Sequence, residues 1–370
     1  MTLPRTLHIE LGRHRLGGTM QVYYLTRGLH ERGGETLLVT PQDSPLHRLA
    51  SAAEVPVAPI KYRGDIDITA LWKLWRLIRR FKPDIVHIHS RRGADTFGAL
   101  AARLAGNAKV IIARRVDDPI AQSWANKLRY GPLCDRVVAV SQGIVRALVK
   151  GGVPAVKIRQ VYSAIEADKY QVEANPTEVR EALGLRSDGH VLAVIAQLIP
   201  RKGHRFLFAA LPRILEHFPN TQVLLLGEGE SAQTLREQCE QLGIGDKVIF
   251  AGYRDDIGYV LNAVDVLVHP ATMEGFANVA MQAAAATIPV VTTDVGGMAE
   301  SVLNEVTGLV VTPESPEAIA EAVLKLLADD DLRARYGAAG KARVESTFTV
   351  DAMIEGSVAI YRDLQLTQRL

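Results

Sequence analysis

The sequence predicts an α/β protein of two doubly wound, Rossmann-like domains in tandem. Short apolar strands alternate with amphipathic helices along the whole chain, joined by brief connections, which is the pattern of parallel strands with crossover helices. At 370 residues the chain is too long for one ordinary domain. Its charge also divides near the middle. Residues 1–165 carry 26 Lys and Arg against 12 Asp and Glu, a net +14, while residues 166–370 carry 17 against 29, a net −12. Two domains with different partners divide charge in this way, and the basic one should attract something anionic. Attraction of the two halves for each other is the other reading of the same numbers.

In the first half, residues 7–11 read as a strand, followed by a Gly17-Gly18 turn and a helix over 20–32. Strands follow at 35–40, 84–89, 109–113 and 136–140, with helices at 69–81 and 94–104. In the second half, 191–196, 222–227, 247–250, 264–269 and 290–293 are the β-rich runs, with helices at 203–217, 231–242 and 316–328 between or after them. Residues 163–190 lack a clear strand and hold polar and helix-breaking residues. The division therefore falls there, giving domains 1–165 and 166–350. A last helix, 351–370, is expected to return to the first domain. Tandem doubly wound domains turn their strand C-termini and ligand-binding loops toward one cleft. That geometry suits a bisubstrate enzyme, although a fold alone names no chemistry.

Composition excludes several classes. Cys134 and Cys239 have no CxxC partner and no metal-ligand spacing, so they read as reduced, structural thiols. The first ten residues lack the apolar core and cleavage site of a secretory signal. No stretch reaches about 18 uninterrupted apolar residues, the length that spans a bilayer. A cytoplasmic protein is the expectation. No GxGxxG follows a strand with an acidic residue about 20 positions later, which argues against a dinucleotide dehydrogenase.

The strongest chemical signal runs from His269 to Ala283. An apolar strand ends at His269, a loop carries Glu274 and Gly275, and Asn278 stands where a cap would open a helix of small residues over 279–286. Small side chains let that helix lie close on the sheet, so its N-terminal amides would face the strand ends, where a diphosphate binds. Asn278 and Gln282, four apart, share one helix face. Read as structure alone, the segment is a strand, a loop and a capped helix.

This segment resembles the EGFG-x4-E signature of the family 4 retaining glycosyltransferases, which have the GT-B fold. Other pieces fall in that family's order along nearly the whole chain. Gly17-Gly18 is similar to its early Gly-Gly loop, Asp84-Ile85-Val86-His87-Ile88-His89 to its DVVHxH strand, and Ala196-Gln197-Leu198-Ile199-Pro200-Arg201-Lys202-Gly203 to its GRLxxxKG loop. Leu226-Gly227-Glu228-Gly229, the run from Phe250 to Asp256 and the run from Pro289 to Glu300 complete the series.

The resemblance implies a donor-binding second domain and an acceptor-side first domain. Glu274 would bind donor-sugar hydroxyls, helped by the main-chain amides of Phe276, Ala277 and Asn278. Gln282 stands where the family usually carries a second Glu that grips the nucleotide ribose; Gln keeps the hydrogen bonding and loses the charge. Gln197 replaces the usual phosphate-binding Arg, leaving Lys202 and the neighbouring Arg201 for the diphosphate; for Lys202 a solvated surface charge is the alternative. Gly17, Gly18, Tyr253 and Arg254 complete the implied donor contacts. Two loops depart from the family. Arg114-Arg115-Val116-Asp117-Asp118 stands where a His is frequent, and Ser163-Ala164-Ile165-Glu166 where NGID is. Arg91, Arg92, Arg114, Arg115 and Asp117 are the acceptor-side candidates.

The implied chemistry needs no covalent nucleophile. The leaving diphosphate takes the acceptor proton on the same face, and positive charge with amide dipoles stabilises it. No acidic DxD triplet sits in a site loop, so neither metal nor cofactor is expected, and Asp329-Asp330-Asp331 reads as a solvated loop. The donor would be a nucleotide-diphosphate sugar, UDP-linked rather than GDP-linked. The acceptor would be a lipid-linked or cell-envelope glycan, as in lipopolysaccharide assembly, and no nucleic acid is involved. A nucleotide-sugar epimerase or hydrolase on the same fold is one alternative. A non-catalytic nucleotide-sugar-binding protein, prompted by Gln197 and Gln282, is another.

The helix 68–82 holds Trp72 and Trp75 among five basic residues. That is the composition of a helix lying in an anionic bilayer interface. A crossover helix that packs Leu71, Leu74 and Ile78 on the sheet is the competing reading, and the two are compatible. The protein would then sit peripherally on the inner face of the cytoplasmic membrane.

Overall fold

The computed structural model describes residues 3–13, 17–62, 67–90, 94–106, 108–121 and 123–366. The chain divides into two compact units, Met1–Ala164 with Val350–Leu370, and Ile165–Thr349.

In the first unit the described residues form a parallel sheet of seven strands, β1 (Thr6–Ile9), β2 (Thr36–Pro41), β3 (Val57–Ile60), β4 (Ile85–Ile88), β5 (Lys109–Arg114), β6 (Arg136–Ala139) and β7 (Ile158–Gln160), in the order β3-β2-β1-β4-β5-β6-β7. The helices α1 (Gly17–Glu31), α2 (Pro45–Ala52), α3 (Ile68–Phe81), α4 (Ala94–Ala105), α5 (Trp124–Tyr130) and α6 (Gln142–Lys150) cross between them. β1 and β4 are buried along their whole length, so neither shows the in–out alternation of a half-exposed strand, and each carries a buried histidine, His8 and His87. β3 was not legible as a strand: it is four residues at the sheet edge with Pro59 inside, a place where a missing N–H is tolerated. Gly17 and Gly18 are not a turn; they open α1.

The last helix of the chain, α15 (Val350–Leu366), belongs to this unit. Met353, Ile354, Val358 and Tyr361 bury among Val22, Leu25 and Leu29 of α1. A Cβ on Gly28 would stand 2.1 Å from Ile354 Cδ1, so the two helices approach at a glycine. Ion pairs Arg32–Asp351 (2.7 Å) and Arg136–Asp363 (3.1 Å) hold the two ends of α15.

α3 starts at Asp67, whose carboxylate accepts from Thr69 N, and stops at Lys82 in the left-handed conformation. It buries Ala70, Leu74 and Ile78 and packs on α4. Leu71 and Trp75 are only half-buried, and the Trp75 ring N–H donates to Leu104 O at 3.4 Å. Trp72 is 56% exposed. The helix is thus a crossover element that leaves one tryptophan and Arg76, Arg79 and Arg80 in solvent.

In the second unit the described residues form a parallel sheet of six strands, β8 (Val191–Ile195), β9 (Gln222–Leu226), β10 (Val248–Phe250), β11 (Val266–His269), β12 (Val290–Thr293) and β13 (Gly308–Val311), in the order β10-β9-β8-β11-β12-β13. Around it lie α7 (Pro176–Ala182), α8 (His204–His217), α9 (Ala232–Gln241), α10 (Ile257–Val260), α11 (Asn278–Ala285), α12 (Met298–Ser301), α13 (Pro316–Leu327) and α14 (Asp330–Thr347). Asp329-Asp330-Asp331 is not a loop: Asp329 caps α14, accepting from Leu332 N at 2.8 Å, and the next two carboxylates lie in its first turn. α14 has only a thin apolar stripe to announce it: Leu332, Tyr336 and Val344 bury along one face together with Gly337 and Gly340. A Cβ on Gly337 would fall 1.8 Å from Thr287 O, just after α11.

Both cysteines are buried and free of disulfides. Burial pushes the Cys134 thiol up to about 12 and the Cys239 thiol up to about 11, which leaves them unreactive. Among the described residues no helix is long and apolar enough to cross a membrane.

Candidate functional site

Each sheet reverses its strand order once, and ligands gather at the strand C-termini beside such a reversal. In the second unit it falls between β8 and β11. The loop after β8 carries Gln197 to Gly203 and the loop after β11 carries Pro270 to Ala277. The two are stitched together. Thr272 N donates to Arg201 O at 2.9 Å, and Arg201 Nη1 to Met273 O at 3.3 Å. Gly203 makes this approach possible: its φ is +70°, and a Cβ there would stand 1.8 Å from Pro270 O.

The stitched loops bring Lys202 and Glu274 into an ion pair, with side chains only 13% and 12% exposed. Lys202 is therefore not a solvated surface charge. His269, at the end of β11, donates from Nε2 to the same carboxylate oxygen at 3.3 Å. Burial alone would raise the Glu274 carboxyl; the His269 hydrogen bond and the Lys202 charge instead hold it well below the usual carboxylate range. Burial pushes His269 below its ordinary value, and pushes His204, at the start of α8, down to about 4 with help from His269 and Lys202. Both imidazoles are neutral at physiological pH, so the positive charge here belongs to Lys202 and Arg201.

Phe276 and Ala277 are buried, and the Phe276 ring meets Phe348 edge-on at 5.4 Å. Asn278 is not the cap. It is the first residue of α11, Ala277 holds the cap position, and no side chain caps the helix. Gln282, one turn on, donates from Nε2 to Tyr170 Oη at 2.9 Å. Gln197 stands exposed at the mouth of its loop. Tyr253 is 57% exposed, whereas Arg254 is committed within its own loop to Asp256, Nε to Oδ1 at 2.8 Å with a second bond from Nη2.

In the first unit the reversal falls between β1 and β4. There Glu10 accepts from Gly12 N at 2.8 Å, and Gly17-Gly18 begin α1. Arg115, after β5, donates from Nη2 to His89 Nδ1 at 3.1 Å. Burial lowers the Arg115 guanidinium to about 10. Its neighbour Arg114 is turned inward, 4% exposed, and ties its own loop: Nη2 reaches Asp118 Oδ1 at 2.7 Å and Nε reaches Val116 O at 2.9 Å. Arg114 is thus a structural residue, not one open to an acceptor. Asp117 lies half-buried in the same loop. Arg91 and Arg92 lie outside the described residues.

Sequence reasoning missed Glu10, His8, His204 and the side-chain role of His269. Spacing held part of the signal: His87 and His89 are two apart at a strand end and share a face, and His8 is paired with His87 across β1 and β4. Those three imidazoles are the one group of metal-type ligands among the described residues, with candidate atoms within 4.8 Å of one another.

Two family models match. The one described as Glycosyltransferase Family 4 takes in residues 17–169, and the one described as Glycosyl transferases group 1 takes in residues 175–343. An uncharacterised glycosyltransferase of Methanocaldococcus jannaschii is 30% identical over 214 residues, 56% of this chain and 55% of its own length, so the chain matches only about half of that relative. The lipopolysaccharide core biosynthesis glycosyltransferase LpsE of Rhizobium meliloti is 27% identical over 353 residues, 95% of this chain and 97% of its own. The Anabaena protein HepE, crystallised with UDP-glucose, superposes with a TM-score of 0.84 at 21% identity, over 97% of this chain and 99% of its own. With a family 4 domain first and a group 1 domain second, on two doubly wound parallel sheets, the chain belongs to the glycosyltransferases of the GT-B fold.

Proposed function

We propose that this protein is a retaining, metal-independent glycosyltransferase that moves a hexose from a nucleotide diphosphate, UDP in preference to GDP, to a lipid-linked or cell-envelope glycan. The observation that carries the proposal is the Lys202–Glu274–His269 constellation at the reversal point of the second sheet. A lysine held by a carboxylate that stays ionised is ready to meet a diphosphate, and Arg201 adds a second cation one residue away. The N-terminal turn of α11 contributes its dipole. As the glycosidic bond breaks, charge grows on the leaving diphosphate, and these groups stabilise it without reorganising. The same oxygen can accept the acceptor's proton, which places attack and departure on one face. The relative named for lipopolysaccharide and the neighbour crystallised with UDP-glucose support the substrate classes.

The first unit is read as the acceptor side because of the net +14 charge of residues 1–165 and the exposed Trp72 beside Arg76, Arg79 and Arg80. A basic residue near an anionic bilayer is worth about 1 kcal/mol. Binding would be peripheral, at the inner face of the cytoplasmic membrane.

The test is turnover of labelled UDP-sugars and GDP-mannose with acceptor-bearing bacterial membrane vesicles. Label should enter the lipid fraction from a UDP-sugar with its anomeric configuration kept. A chelator should have no effect, and rising salt should slow transfer by releasing the protein from the vesicles. Release of free sugar would make it a hydrolase, an epimeric nucleotide sugar an epimerase, and binding without turnover a non-catalytic protein.

Gln282 gives a binding test of the donor site. Its Nε2 is taken by Tyr170, so a ribose hydroxyl would meet Oε1. Gln282→Ala should weaken nucleoside diphosphate binding by about 1–2 kcal/mol in calorimetry. Gln282→Glu should bind normally, because the Tyr170 hydroxyl can turn and donate to a carboxylate. An unchanged Kd in the alanine variant would return Gln282 to a packing role.

A further inference from the structure

Arg115 makes no salt bridge among the described residues. A guanidinium removed from water ordinarily sits on a carboxylate. Here Glu10 acts on Arg115 only through space, and its carboxylate accepts from Gly12 N instead. Among the described residues the one hydrogen-bond partner of Arg115 is the neutral ring of His89, and Arg115 Nε is buried with no partner at all.

The pairing with His89 fixes the protons of the cluster. A guanidinium has no lone pair to offer, so Arg115 Nη2 donates and His89 Nδ1 accepts. A neutral imidazole that accepts at Nδ1 carries its proton on Nε2. That Nε2–H therefore donates to His8 Nδ1, 3.0 Å away, with the two ring planes within 10° of parallel. Protonating His89 would set two cations in contact, and burial opposes it as well. His87 takes no part in the relay; its Nδ1 pairs with Tyr361 Oη at 2.6 Å. While Arg115 is bound, His89 Nε2 has no lone pair for a metal, and the three histidines work as a hydrogen-bonded brace.

We infer that Arg115 binds a phosphate group in the first unit and that His89, whose tautomer the Arg115 bond sets and whose ring His8 braces, is the positioning residue that aims it. A planar guanidinium with unused donors matches phosphate oxygens, and the brace occupies only its Nη2. The place fits. Arg115 stands at the reversal point of the first sheet beside the start of α1, where a Cβ on Gly18 would come 3.4 Å from Arg115 Cδ. Glycine there keeps the ground beside the arginine clear.

The phosphate belongs either to a nucleoside diphosphate or to a lipid phosphate. The inference rests on the proposed transferase activity only for that choice. Calorimetry on the full chain with two probes, UDP and water-soluble geranyl phosphate, separates them. Arg115→Ala should weaken one probe roughly 10- to 100-fold, the span for losing a hydrogen bond to a charged group, and the probe affected names the source.

His89 is tested by two variants that each keep one of its bonds. His89→Asn puts an oxygen where Nδ1 stands and should bind as wild type. His89→Gln reaches toward His8 but offers Arg115 no acceptor, and should match Arg115→Ala. Combined with Arg115→Ala it should lose nothing further. Equal behaviour of the two His89 variants would overturn the positioning role. Unaltered binding of both probes by Arg115→Ala would overturn the phosphate site. If Lys202→Ala meanwhile loses UDP affinity, the transferase reading stands and this inference alone fails. A wild-type chain that binds neither probe sinks both.

Discussion

Lys202→Ala should lower kcat/KM for the nucleotide sugar by roughly two to three orders of magnitude, the range for removing one stabiliser of a developing anion. The loss should fall mainly on kcat, because the charge that Lys202 meets grows as the bond breaks. Lys202→Arg keeps the charge but changes its shape, and should recover part of the rate. Stability against pH gives a second readout. In the native chain Glu274 titrates below its unfolded value, so its contribution is complete above the unfolded pKa, about 4.3, and drains away as pH falls through the folded one. Without Lys202 the depression shrinks, leaving a chain less stable near neutral pH but with a flatter decline in acid. Unchanged turnover would place the diphosphate elsewhere. An unchanged acid profile would mean that the ion pair does not persist in solution.

Gly203→Ala should damage the second unit more than any surface change. The left-handed backbone costs an alanine about 1–2 kcal/mol. The Cβ at 1.8 Å from Pro270 O then forces the two stitched loops apart. The summed cost should be about 3 kcal/mol or more, seen as an earlier melting step for the second unit with the first unit's step unmoved. Nucleotide binding should fall with it, because Lys202 and Glu274 meet only while those loops are joined. Gly243→Ala is the control. Gly243 has φ +66° and nothing within 4 Å of where a methyl would stand, so it carries the backbone strain without the clash. Equal losses at 203 and 243 would show that strain alone governs and that the loop contact contributes nothing.

Most of the architecture was legible because buried parallel strands leave short, mostly apolar runs, as in Ile85–Ile88 and Gln222–Leu226. What escaped was structure held by something other than an apolar pattern. β3 carries a proline at an edge, and α14 docks through Gly337 and Gly340 between only three buried apolar side chains, Leu332, Tyr336 and Val344. Site residues divided in the same way. Lys202 and Glu274 could be named from motif and spacing, but their contact depends on two loops 72 positions apart meeting at a strand reversal. Arg114 and Arg115 are indistinguishable in sequence. One ends a strand pointing inward and the other begins the loop, so alternation along β5 sends their side chains to different fates.

The return of α15 has a consequence for how the chain matures. The second unit is one uninterrupted stretch, Ile165–Thr349, and holds every residue it needs once that stretch has left the ribosome. The first unit is synthesised earlier yet lacks Ile354, Val358 and Tyr361, which close its core against α1. Until Val350–Leu366 emerges, the face of α1 around Gly28 stays wet and His87 has no Tyr361 hydroxyl. The domain born first is therefore finished last, and a nascent chain halted near Thr349 presents an apolar surface to holdase chaperones.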